Sequence, residues 1–168
     1  MMNNLSATYK GLITGILMIA VSIGIYWLKG NFENGLQYIT YGLYIAGILW
    51  ALLGFKNSAE PKKSFKNYFT TGFKCFIVVT FLMVLFTYIF TQVDAGMKQQ
   101  MAVNYRADLQ GKGNYTPAEI DVMVKKATDY FNIMLTSMAI FGYLVIGSMV
   151  TLIASLFFVQ QKKITTMV

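Results

Sequence analysis

The chain has 168 residues, of which 56% are hydrophobic and 12% charged, with a mean hydropathy of +0.53. A water-soluble domain carries about twice that charged fraction, so the composition excludes an ordinary soluble protein and points to an integral membrane protein. The +7 net charge, from 14 basic and 7 acidic residues, is accounted for by the excess of lysine on one side of a membrane, so nucleic acid is not an expected partner.

The N-terminal stretch to Tyr9 is short and polar, and Lys10 then borders an uncharged run from Gly11 to Leu28, closed by Lys29. A positive residue before an apolar core resembles a signal peptide. The run is longer than such a core, however, and ends in Ile25-Tyr26-Trp27-Leu28, bulky residues suited to an interfacial belt and not to cleavage. It is therefore expected to be a retained first span, with Gly11 and Gly15 spaced for close helix approach. The segment from Gly30 to Gly35, with Asn31, Glu33 and Asn34, reads as a tight polar turn. A second uncharged run, Gly35 to Phe55, follows, with Gly47 and Ala51 as a narrow contact face. So short a turn makes the first two spans antiparallel neighbours.

The connection from Lys56 to Lys74 is basic: Lys56, Lys62, Lys63, Lys66 and Lys74 face Glu60 alone. Pro61 interrupts any helix continuing from the second span, and Ser64 reads as an N-cap. Phe65, Tyr68, Phe69, Gly72, Phe73 and Phe76 recur at helical spacing beside the lysines. Such a stripe suits a helix entering an anionic leaflet. Lys62, Lys63, Lys66 and Lys74 are candidate anionic-lipid contacts, although a topology signal with an interfacial anchor explains the same residues. Cys75 is the sole cysteine, which excludes an intramolecular disulfide, and its apolar neighbours suit a buried structural residue.

The third span reaches Val93. Asp94 to Asp129 is then a charged excursion, broken once at Gly111-Lys112-Gly113-Asn114. Thr116-Pro117-Ala118-Glu119 is a helix start: threonine as cap, proline at the first helical position, glutamate reaching back to the cap. Val93, Met97, Met101, Tyr105 and Leu109 form one apolar stripe. Ile120, Met123, Ala127, Tyr130 and Met134 form another. Two long helices, continuing spans three and four with little bend, are expected to pack as an antiparallel hairpin with its tip at 111–115. Met97, Met101, Tyr105, Ile120, Met123 and Ala127 are its expected contacts. Asp121, four residues before Lys125, is expected to form a surface pair along its own helix. The fourth span, from about Ile133 to Val159, carries Gly147, Thr151 and Ser155 as a small-residue stripe and closes on Lys162 and Lys163.

The expected architecture is thus an all-α integral membrane protein of one domain, 1–168. Its four transmembrane helices lie at about 11–28, 35–55, 74–93 and 132–160, with an extramembrane hairpin at 94–131. An even number of spans places both termini and the Lys56–Lys74 connection on one side, and the lysine excess makes that side cytoplasmic.

The chemistry-bearing residues are sparse. There is no histidine, the commonest metal ligand and general acid–base group. No uncharged run is interrupted by Asp, Glu, Lys or Arg, which weighs against an ion-coupled carrier. No nucleophile motif, phosphate-cradling loop or metal-ligand spacing is present. The expectation is therefore no catalytic, cofactor or metal site.

Three features together resemble a known family: the entry Tyr9-Lys10-Gly11-Leu12-Ile13, the stretch Ser64-Phe65-Lys66-Asn67-Tyr68-Phe69-Thr70-Thr71-Gly72-Phe73, and the glycine-containing last span closed by Lys162-Lys163. The chain is similar over nearly its full length to the small bacterial four-span membrane family catalogued as domain of unknown function 4199. The Thr116-Pro117-Ala118-Glu119-Ile120 start also fits. That resemblance implies four spans with an extramembrane section between the third and fourth, in a bacterial inner membrane, and it brings no activity or site residues. The expected role is a non-catalytic scaffold or accessory subunit of an envelope complex, with a membrane-protein partner or a second copy of itself. The alternatives are an anionic-lipid or polyprenyl-phosphate-associated partner of a membrane glycosyltransferase, and a passive small-solute channel or carrier.

Overall fold

A computed structural model describes residues 5–29, 37–59 and 63–165. The described residues form five helices and no strand: α1 (Ala7–Lys29), α2 (Gln37–Lys56), α3 (Phe65–Val93), α4 (Ala95–Lys112) and α5 (Pro117–Thr165). Helices α1, α2, α3 and α5 are long and apolar enough to cross a membrane. Helix α4, which carries Lys98, Arg106, Asp108 and Lys112, does not have that character. The chain is an all-α integral membrane protein. The Gly30–Gly35 turn, Glu60, Pro61 and Lys62 lie outside the described residues.

The chain divides into two compact units. The first comprises Met1–Met83 and Ile140–Val168, and holds α1, α2, most of α3 and the C-terminal part of α5. Its contacts set an up-down-up-down order. Lys10 and Thr14 on α1 meet Gly54 and Gly47 on α2, so these helices run antiparallel. Phe55 and Tyr44 on α2 meet Tyr68 and Thr80 on α3, again antiparallel. Tyr68, Gly72 and Phe76 on α3 meet Phe158, Thr151 and Gly147 on α5, also antiparallel. The start of α1, the end of α2 and the start of α3 therefore share one end of this unit. Its core centres on Met18, Tyr44, Ile48, Leu52, Phe76 and Val79, all fully or almost fully buried.

Helix α3 begins at Phe65, with the Ser64 carbonyl accepting from the Asn67 and Tyr68 N–H groups at 3.1 Å. Its 29 residues rise about 44 Å, more than the ~30 Å of a hydrocarbon core. The helix thus extends nine residues ahead of the expected span start at Lys74.

The second unit, Val84–Ala139, contains a helical hairpin. Helix α4 continues through Lys112, and Gly113 ends it in the left-handed region at φ 67°, its N–H donating to the Gln110 carbonyl at 3.2 Å. Glycine adopts that conformation without Cβ strain. Thr116 and Glu119 then cap α5 reciprocally. The Thr116 N–H donates to Glu119 Oε2 at 2.8 Å, and the Glu119 N–H donates to Thr116 Oγ1 at 3.4 Å.

The expectation of two unbroken long helices needs one correction. Helix α5 is continuous over 49 residues, but α3 stops at Val93 and α4 starts anew at Ala95. Asp94 makes the break. Its backbone is extended (φ −92°, ψ 90°), and its carboxylate accepts from the Gly96 N–H at 2.9 Å. An aspartate that can cap competes with helix continuation, and the glycine two residues on weakens the helix further.

Candidate functional site

Two groups of residues in the first unit and one in the second carry the specific chemistry of this chain. The first group is the set of small residues. A Cβ on Gly11 would meet the Cys75 carbonyl oxygen at 2.6 Å, and one on Gly15 would meet Leu82 Cδ1 at 2.5 Å. Gly47 faces the Thr14 side chain, and Gly147 faces Tyr44 and Phe76, whose Cγ would lie 2.8 Å from an added Cβ. Ala51, Thr151 and Ser155 are buried. Gly11, Gly15, Gly47, Gly147 and Thr151 thus lie on faces where helices of this one chain approach closely, and Ala51 and Ser155 are buried in the same unit. Gly72, which takes the Thr151 side chain, and Gly54, against Lys10, play the same part.

A polar seam accompanies these contacts. The Tyr44 hydroxyl donates to the Tyr143 carbonyl at 2.9 Å and lies 3.4 Å from Thr80 Oγ1. The Tyr143 ring meets Tyr44 edge-on at 5.4 Å. Cys75 is fully buried, with Sγ 3.7 Å from the Gly47 carbonyl, and Thr14 Oγ1 donates to the Lys10 carbonyl at 2.8 Å. The Thr151 and Ser155 hydroxyls are buried without a hydrogen-bond partner among the described residues. In a membrane bundle interhelical hydrogen bonds, such as that of the Tyr44 hydroxyl, and close packing of small residues hold helices together.

The second group is a set of lysines at the end of α2. Lys10, which borders the first apolar run in the sequence, is inside α1 and only 1% exposed. Its Nζ lies 3.5 Å from the Trp50 carbonyl and 5.4 Å from the centre of the indole, over Gly54. Lys56 Nζ lies 5.4 Å from the centre of the Phe158 ring, and Lys63 Nζ donates to the Lys56 carbonyl. Phe158 stacks on Tyr68 at 5.7 Å, and Tyr68 meets Phe55 at 5.0 Å. Of the four lysines chosen from sequence, only Lys63 joins this cluster by a described contact. Lys66 and Lys74 are exposed on α3, and Lys62 is outside the described residues. Lys10 and Lys56 were missed because each looks like the border charge of an apolar run. The signal that could have revealed Lys10 is Gly54, a small residue in the facing last turn of α2.

The third group is the interior of the hairpin. Leu109, Ile120 and Val124 form its buried centre, with Ala102, Tyr105 and Met123 packed against them. Met97, Met101 and Ala127 are half-buried. The returning stripe is corrected at its far end: Val124 and Phe131 are buried, whereas Tyr130 and Met134 are exposed. The expected stripe advances about 3.5 residues per turn, and a straight helix drifts from it by about 20° per heptad, which carries the buried face toward neighbouring residues. Val93 is exposed as well, beyond the break at Asp94. Arg106 Nη1 reaches Asp121 Oδ1 at 2.6 Å across the hairpin, so Asp121 pairs between helices and not with Lys125 along its own. Lys112 and Asp108 pair along α4 at 2.8 Å. This ion pair raises the Lys112 pKa above its ordinary value, and the Thr116 backbone and side-chain hydrogen bonds hold the Glu119 carboxyl below its own. Among the described residues no three Cys, Asp or Glu side chains gather as a metal ion would require.

Compared with known families, residues 9–160 match the one described as Protein of unknown function (DUF4199). No curated protein and no solved structure matches the chain.

Proposed function

The chain belongs to the DUF4199 family, and we propose that it acts as a non-catalytic integral membrane protein, a scaffold or accessory subunit of an envelope complex in a bacterial cytoplasmic membrane. The observation that carries this reading is the hairpin. It has its own apolar centre, a reciprocal cap, a glycine-terminated helix and an interhelical ion pair. Together these devices hold a rigid surface whose outer side still shows Val103 and Val122, each about two-thirds exposed. A rigid element that leaves aliphatic side chains uncovered suits recognition of another protein. The small-residue faces, by contrast, are occupied within the chain itself. The partner is accordingly expected at the hairpin.

The lysines gathered at one end of the first unit support a cytoplasmic placement of that end and of both termini. The test is recovery of the full-length protein from its native membrane. A stoichiometric membrane-protein partner should come with the wild type and be lost from Val103→Asp and Val122→Asp. Recovery of the wild type alone, or a partner retained equally by both variants, would overturn the reading.

A further inference from the structure

We propose that Thr151 and Ser155 hold a water molecule inside the first unit, between α5 and the bare backbone of α3 at Gly72. Both residues are 0% exposed, and among the described residues neither hydroxyl has a hydrogen-bond partner. A buried polar group left unpaired is rare in a folded protein, and internal waters complete such groups.

A hydroxyl on a helix has a ready partner in the carbonyl three or four residues back. Thr14, Thr71, Thr91, Thr128 and Ser148 all take it, at 2.7 to 3.0 Å. Thr151 and Ser155 do not, although α5 is helical for several turns before each of them. Thr151 Oγ1 is turned toward the neighbouring helix instead, and would lie 3.0 Å from a Cβ added at Gly72.

The spacing of the two hydroxyls selects the ligand. Residues four apart share one face of a helix and are separated by a rise of about 6 Å. That is too long for a direct bond, and it matches two hydrogen bonds of ~2.8 Å through a single oxygen. One water therefore accepts from one hydroxyl and donates to the other. Its second proton faces the main chain of α3, where Gly72 places no side chain in the way and helical carbonyls keep a second lone pair. A larger ligand is excluded, because the Thr151 Cγ2 methyl already occupies the gap at Gly72, 2.5 Å from an added Cβ. An ion is excluded because two neutral hydroxyls do not offset its desolvation. The bridge ties α5 to α3 through solvent, and it is independent of the partner surface proposed for the hairpin.

The competing account is that both hydroxyls swing back onto their own helix and no water is present. X-ray radiolytic labelling of the full-length protein, in detergent and heavy-oxygen water, separates the two. Radiolysis of a bound water produces hydroxyl radicals in place, and these oxidise the side chains beside it. Tyr68 and Phe76 stand one turn on either side of Gly72 and are each only 2% exposed. In wild type at least one of them should gain heavy oxygen. Thr151→Val and Ser155→Ala, which delete the hydroxyls and nearly keep the volumes, should each lose that label. The double variant should melt no lower than the less stable single one, because either deletion alone releases the water. Absence of label from both rings in wild type, or undiminished label in either variant, would overturn the proposal. So would additive losses of melting temperature. Should Thr151→Val fail to fold, the label on Ser155→Ala still decides the matter.

Discussion

The two units of this chain carry charge in opposite ways. The first contains nine basic and two acidic residues and so holds the whole +7 charge; the second contains five of each and is neutral. The Arg106–Asp121 and Lys112–Asp108 ion pairs lie in the second unit. The first is held by glycines against backbone and rings, by buried hydroxyls and by aromatic contacts. The second is held by a small aliphatic centre, capped helix ends and paired charges. The difference follows from the two solvents. In lipid, apolar side chains gain little by meeting each other, so close packing and interhelical hydrogen bonds decide stability. In water, burial of even a few aliphatic groups drives association, and helix ends need caps.

Substitutions can separate these two modes. The largest effect is expected for Gly147→Ile, whose added atoms would collide with Tyr44 and Phe76. Overpacking of this kind costs about 3 kcal/mol. The thermal melt of the detergent-solubilised protein should fall markedly while exchange protection in the hairpin persists. Leu109→Ala should do the reverse, removing about 2 kcal/mol from the hairpin centre and raising exchange there with the first unit's melt unchanged. Thr116→Ala, which deletes the cap, should cost ~1 kcal/mol, seen as faster exchange confined to the first turn of α5. Arg106→Ala removes a half-exposed ion pair and should cost about 0.5 kcal/mol, an effect that shrinks further in high salt.

The same cap should respond to pH. Glu119 is held below its ordinary carboxyl value, so its contribution is fully present above that ordinary value and is lost as pH falls through the lowered one. Lys112 is held above its ordinary value, and its contribution persists until strongly alkaline pH. Exchange at the first turn of α5 should therefore accelerate in acid, and Glu119→Gln should remove most of that dependence.

Much of this was legible in the sequence because local rules dominate where they were applied. Uncharged runs of spanning length, the Thr116-Pro117-Ala118-Glu119 start and the glycine stop at Gly113 act through their own neighbours. The helix break at Asp94 was not read, since a four-residue apolar spacing runs across it and only the side-chain bond to Gly96 shows that the cap wins. The burial of Val124 and Phe131 was missed because the stripe was followed at about 3.5 residues per turn, from which a straight helix drifts. Lys10 was the deepest omission. At the edge of an apolar run a lysine looks solvated, and only the tertiary approach of Gly54 and Trp50 buries it. Asp121 was likewise assigned to a neighbour along its helix, whereas its partner is supplied by the opposite arm.

The charged segment between the third and fourth spans is a folded helical hairpin with its own apolar centre, held by different forces from the apolar bundle. Hydrogen–deuterium exchange of the full-length protein in detergent, resolved by peptide, tests it most directly. Two protected blocks, at 97–112 and 117–130, should flank a fast-exchanging turn at 113–116. Rapid, unprotected exchange throughout 98–126 would show a loop in place of the hairpin and contradict the account.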